Sequence, residues 1–185
     1  MRPLLRYAAT IDAVSAFFGR IANYTVVLVV VVGFFNVAAR YIGRYIGVTL
    51  ASNAYIELQW YLFSVIFFLG FGDTLRRGVN VRVDFFYARF STKQKAWIDL
   101  LGTLLFLIPF CLIGLAVTYT PVLRSWLTWE MSSDANGLPR APIKSFIIVA
   151  FVLLLLQSTA QAIKYLAVIL GYEDAVGQIQ AEETM

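Results

Sequence analysis

Histidine is missing from this chain, and cysteine occurs once, at Cys111. Without histidine, His-ligated haem, most catalytic zinc sites and imidazole acid–base chemistry are unavailable. A single cysteine forms no internal disulfide and no thiolate cluster. No G-x-x-x-x-G-K-[ST] phosphate loop occurs either. These gaps point to a non-enzymatic protein with no cofactor, metal or catalytic residues of its own. Charge is also scarce: 14% of the 185 residues are Asp, Glu, Lys or Arg, and 60% are hydrophobic. Soluble domains carry about 25% charged and about 45–50% apolar residues. With a mean hydropathy of +0.75, such a chain has too little polar surface for water.

What is present explains the imbalance. Four apolar stretches, about 21–39, 55–72, 100–123 and 145–163, are long enough to cross a bilayer. Every backbone group in hydrocarbon must bond internally, so each is expected to be a helix, the β-branched run Val26 to Val32 included. Pro109 predicts a kink in the third span, and Pro121 a stop near its far end. Cleavage after Val37-Ala38-Ala39 would remove 39 residues, beyond the usual length of about 15–30 for a signal peptide. The first span is therefore read as an uncleaved helix.

Orientation follows from the cations. Arg2, Arg6, Arg20, Arg76, Arg77, Arg82, Arg89, Lys93, Lys95 and Lys164 fall on one side of the membrane. Arg40, Arg44, Arg124, Arg140 and Lys144 fall on the other. The richer side is cytoplasmic by this rule, which puts both termini there. The expected fold is an all-α integral membrane protein, a single domain over residues 1–185 with four transmembrane helices.

The connections carry their own patterns. Leu4, Leu5, Ala8, Ile11, Val14 and Phe18 share one helical side, with Arg6, Thr10 and Asp12 off it. This predicts an amphipathic helix in the membrane interface before the first span. Val79, Val81 and Val83 alternate with Asn80, Arg82 and Asp84, and Ser91-Thr92-Lys93-Gln94 has the form of a capping box. Trp97 is placed in the interfacial belt. Residues 124–144 hold Trp126, Trp129, Glu130, Asp134, Asn136-Gly137, Pro139 and Pro142, which reads as an ordered external loop. The tail 171–185 has four acids and no bases, and is read as solvated.

Two groups of residues are candidates for function. Glu57 is the ionisable side chain most clearly inside a predicted span, and intramembrane acids are functional candidates by default. Its place near the outer end favours a structural ion pair with Arg40 or Arg44 over a proton or substrate site. The cluster Arg76, Arg77, Arg82 and Asp84 reads as a positive-inside determinant attracted to anionic membrane lipid, or as a polar clamp between inner-leaflet elements. No separate basic domain exists, so nucleic acid is not an expected partner. Tyr55, Tyr119, Trp126 and Trp129 suit an aromatic belt. Glu130, Asp134 and Arg140 beside Gly137 and two prolines suit instead a rigid surface for docking a soluble protein.

Two stretches resemble a known family. Glu57-Leu-Gln-Trp-Tyr-Leu-Phe and Phe68-Leu-Gly-Phe-Gly-Asp-Thr-Leu-Arg-Arg-Gly-Val-Asn-Val-Arg-Val-Asp84 resemble the signature of the small membrane subunit of tripartite ATP-independent periplasmic (TRAP) transporters. Gly137-Leu-Pro-Arg-Ala-Pro-Ile-Lys144 and Leu155-Leu-Gln157 are similar to the branch named for mannitol, chloroaromatic and 2-oxo acid uptake. Asn80 stands where the family usually has histidine, and Gln161 where it often has an acid.

The resemblance implies a multi-pass subunit of the bacterial inner membrane. Its partners would be a large membrane subunit, which moves solute by a sodium-driven elevator motion, and a periplasmic substrate-binding protein that captures organic acid anions or related solutes. The small subunit would brace the large one. Candidate residues for that interface are Glu57, Trp60, Phe67, Arg77, Asn80, Arg82 and Asp84. Those for docking the binding protein are Trp129, Glu130, Asp134 and Arg140. Gly33, Gly70, Gly72, Gly102 and Gly114 would permit close helix contacts with the partner. One alternative is a self-sufficient homo-oligomeric transporter or channel with Glu57 as its coupling site. Another is a haem-free membrane anchor of a respiratory complex.

Overall fold

All four apolar stretches become helices, as the hydrogen-bonding demand of hydrocarbon requires. The structure, a computed structural model, describes residues 1–48, 50, 52–78 and 89–172. Its helices are α1 (Arg2–Ile46), α2 (Asn53–Arg76), α3 (Thr92–Gly102), α4 (Ile108–Leu127) and α5 (Arg140–Ile169). A π-helical turn, Thr103–Leu107, runs α3 into α4 without a break. Asn80, Arg82 and Asp84, the valine alternation around them and most of the acidic tail lie outside the described residues.

The separate interfacial helix does not form. Its residues open α1, which continues for 45 residues to Ile46. At 1.5 Å per residue that is about 68 Å, over twice the hydrocarbon thickness. Nothing in the sequence breaks it, because its one proline sits in the first turn. The apolar side also has protein to cover. Ala8 and Ile11 pack on Ala160 and Ile163 of α5, and Leu5 meets the cluster of Ala96, Ala167 and Val168. The helix ends where Gly47 turns left-handed at φ 74° and its N–H reaches Gly43 O, a conformation that favours glycine.

The two prolines of the third span behave differently from each other. Just before Pro109 the ladder widens, and Ile108 N–H bonds Thr103 O one residue further back than in an α-helix. That shift takes up the missing Pro109 donor. Pro121 stops nothing, and α4 runs through it to Leu127. Ending there would orphan a whole turn of carbonyls, whereas continuing forfeits one bond. The Ser91 capping box forms as read: Gln94 N–H donates to Ser91 Oγ, and Ser91 N–H to Gln94 Oε1.

Helix α5 is the centre of the bundle and packs on all four other helices. Its fully buried positions include Ala141, Ala150, Ala160 and Ala167, whose small side chains let neighbours approach closely. Gly33, Gly72 and Gly114 serve contacts inside the chain, against Gln59, Ser15 and Phe151, so they are not free for a partner. The chain runs up α1, down α2, up α3 and α4, and down α5. One end of the bundle therefore holds the described termini, and the other holds the loop between α4 and α5.

Candidate functional site

The loop end is organised by one face of α2. Asn53, Glu57 and Tyr61 are spaced four apart and so stand above one another. All three bond to the loop. Asn53 Nδ2 donates to Ala135 O at 3.2 Å, and Tyr61 Oη donates to Leu138 O at 3.3 Å. Between them the Glu57 carboxylate accepts from Ser132 Oγ through one oxygen and from Leu138 N–H through the other. Neither Arg40 nor Arg44 is its partner, which corrects the expected ion pair. A carboxylate offers only acceptors, and here both oxygens are used on loop donors.

The loop is shaped to meet that face. Met131 and Pro139 form an antiparallel bridge, and Gly137 N–H closes a turn on Asp134 O at 3.0 Å. A side chain at Gly137 would run into Ser132 and the Glu57 carboxylate, so glycine is needed there for close approach. Asn136 before it takes φ 59° and Trp129 φ 46°, rarely adopted values for residues other than glycine. Trp129 stacks edge-on against Trp126 with centroids 5.6 Å apart, and Trp126 Nε1 donates to Ser145 Oγ at 2.7 Å. Glu130 pairs with Lys144 at the start of α5. That ammonium holds the Glu130 carboxyl below its ordinary range.

A second polar layer, missed from the sequence, lies at the termini end. Lys164, only 2% exposed, reaches Asp12 Oδ2 at 2.9 Å. Gln157, fully buried, donates to Asp12 Oδ1 at 2.8 Å and accepts from Ser15 Oγ at 2.6 Å. Gln161 Nε2 donates to the carbonyls of Leu75 and Arg76 at the end of α2. There Asp73 accepts Arg76 at 2.8 Å and Arg77 at 2.7 Å. Glu57 is therefore not the principal ionisable group of the bundle, since Asp12, Asp73 and Lys164 are also drawn inside. The signal was present: a lone acid at the start of α1 and a lone base at the end of antiparallel α5 must lie at matching depth.

The predicted sets are thus partly regrouped. Glu57 joins Trp129, Glu130, Asp134 and Arg140 at the loop end. Trp60 and Phe67 project from α2, 71% and 55% exposed. Arg77 belongs to the termini end through Asp73. Among the described residues no group of three or more acidic, histidine or cysteine side chains could hold a metal ion.

The geometry defines a class: a multi-pass helical membrane protein whose polar side chains fasten helices together at one end and a loop at the other. Residues 29–167 match the family model for the DctQ component of tripartite ATP-independent periplasmic transporters. The chain belongs to this family, and is the small permease subunit of a TRAP transporter. Such a component works within a three-part assembly. No curated protein and no solved structure matches the chain.

Proposed function

We propose that this chain is a non-catalytic scaffold that braces the large membrane subunit and offers the loop of residues 128–139 to the binding protein. The transport it serves is sodium-driven uptake of an organic acid anion or related solute across the bacterial inner membrane. In this reading the termini are cytoplasmic and the loop is periplasmic. The branch is that of mannitol, chloroaromatic and 2-oxo acid uptake.

The observation that carries the reading is the double hold of Glu57 on Ser132 and Leu138. A loop fixed to a helix at three successive turns is a preformed surface, and docking on it costs little ordering entropy. The same hold weakens the rival in which Glu57 couples ions, because its acceptors are already taken. Trp60, Phe67 and Arg77, with Asn80, Arg82 and Asp84, supply the proposed face for the large subunit. Buried interface cores favour such aromatic and arginine anchors. Anionic lipid around the basic connection completes the surroundings.

The test is charge reversal of Glu130 and Asp134 together. Affinity for the periplasmic binding protein is expected to fall at least about tenfold, with uptake, while the yield of complex with the large subunit is unchanged. Unchanged affinity and uptake would overturn the docking assignment.

A further inference from the structure

Beside the braced loop, a cleft of about 360 Å³ opens between the first turns of α2 and α5. Ile56, Trp60 and Ile143 give it an apolar wall, and Asp134 and Arg140 give it opposite charges. The other charged groups facing it are already engaged: Glu57 with the loop and Lys144 with Glu130. Arg140 and Asp134 are not held in this way, although the Arg140 charge lies near enough to Glu57 and Glu130 to act on both. Among the described residues neither has an ion-pair partner, and the Arg140 guanidinium makes one long contact, 3.5 Å to Ser133 Oγ.

Position along the helix says what fits. Glu57 and Trp60 stand four and seven residues into α2, about 6–11 Å along its axis. The headgroup layer flanking the hydrocarbon is about 5–8 Å thick. An apolar stripe leads from the cleft into the span: Trp60, Phe63 and Phe67, exposed by 71%, 64% and 55%, follow one another on one helical face. A cation and an anion at the loop end of a membrane-spanning helix, continuous with an exposed aromatic track along it, match a lipid that carries both charges.

We infer that this cleft binds one zwitterionic glycerophospholipid, with its phosphate on Arg140, its ammonium on Asp134 and an acyl chain along Trp60, Phe63 and Phe67. A guanidinium suits a phosphate because it donates two parallel hydrogen bonds. A carboxylate favours a primary ammonium, which has N–H donors, over a quaternary one, which has none. The ligand is therefore an ethanolamine lipid in preference to a choline lipid. This goes beyond the docking role and does not depend on it, although the site shares Asp134 and Arg140 with the proposed docking surface. It also shares Trp60 and Phe67 with the proposed large-subunit face, so that the acyl chain lies in the seam between α2 and that partner.

Native mass spectrometry of the purified membrane complex tests it, with no binding protein present. The complex is stripped of lipid and titrated with phosphatidylethanolamine, phosphatidylcholine or phosphatidylglycerol. Phosphatidylethanolamine is expected to be retained over phosphatidylcholine. Arg140→Ala should weaken it about tenfold, and Asp134→Asn should erase the preference between the two. Arg124→Ala, at the same end of the bundle, should change nothing. If Arg140→Ala fails to assemble, Phe63→Ala on the exposed stripe should reproduce the loss. Equal retention of all three lipids whatever the variant, a phosphatidylglycerol preference indifferent to Asp134, or no retained lipid would each overturn the assignment.

Discussion

The two ends of this bundle use polar groups in opposite ways. At the termini end, side chain meets side chain between helices: Asp12 and Ser15 on α1 reach Gln157 and Lys164 on α5. At the loop end, side chains of one helix grip the backbone and a hydroxyl of a connection: Asn53, Glu57 and Tyr61 hold Ser132, Ala135 and Leu138. The first arrangement fixes how α1 crosses α5. The second leaves the bundle alone and fixes a surface. Loss of the first should therefore be felt globally, and loss of the second locally.

The termini end should give the largest effect. Lys164→Ala leaves Asp12 without its ammonium in a site shared with Gln157, and Asp12→Ala takes the carboxylate at 2.9 Å away from a Lys164 that is 2% exposed. Removing one partner of a buried pair costs about 3–5 kcal/mol, and the lower figure applies because the Asp12 side chain is 22% exposed. Reversible unfolding in mixed micelles should show that loss for either single variant. Asp12→Leu with Lys164→Met should recover most of it, since an apolar pair of similar volume removes both charges of the pair together. A double variant as unstable as the singles would mean that the network with Gln157 and Ser15 matters more than the ion pair.

Glu57→Ala should do the reverse. Ser132 and Leu138 lose their acceptor, but α2 and α5 keep their packing through Leu69, Leu153 and Ala22. Bundle unfolding is expected to stay nearly unchanged while protease cleavage within residues 130–139 rises about tenfold, as befits a local opening. Glu57→Gln should fall between, because an amide keeps one acceptor oxygen and adds donors the loop does not need. A large drop in global stability would place Glu57 with the termini-end residues and dissolve the contrast. Gly137→Ala tests the same hold from the loop side, where an added methyl meets Ser132 and the Glu57 carboxylate. Its effect should resemble Glu57→Ala and be smaller, as the loop can shift while keeping some bonds.

Apolar length and the count of cations made the spans legible in the sequence, and the Ser91 box gave the start of α3 to the residue. The join between α1 and its amphipathic beginning was not legible. Periodicity marks an apolar side without saying whether lipid or another helix covers it, and Ala8 and Ile11 turn out to face Ala160. Pro121 misled because the breaking rule comes from water, where freed carbonyls find solvent. The loop residues Trp129, Glu130, Asp134 and Arg140 lie at one end of the bundle, as their closeness in the chain implies. The partner of Glu57 was not legible in the sequence, because Ser132 and the Leu138 N–H carry no charge to search for. Asp12 and Lys164 are hidden because each is read alone, Lys164 as an orientation signal and Asp12 as part of the polar side of an interfacial helix.

A final contrast comes from pH. Glu130 is a loop-end carboxyl held below its ordinary value of 4.5, foremost by the Lys144 hydrogen bond. A carboxyl depressed in the folded state contributes stability that is complete above its unfolded value and is lost as pH falls through the folded one. Acidification from neutral should therefore leave the loop intact until below about pH 4.5, and then loosen the tie between Glu130 and α5. The pair is partly exposed, so the effect should be the smallest of the set and shrink further at high salt. Cleavage of the loop by an acid-active protease, compared between the native chain and Lys144→Met, reads it out. The native loop should become as cleavable as the variant only at the acid end. If the two do not differ at any pH, Lys144 supports the loop through its hydrocarbon stem, which methionine largely keeps, rather than through its charge.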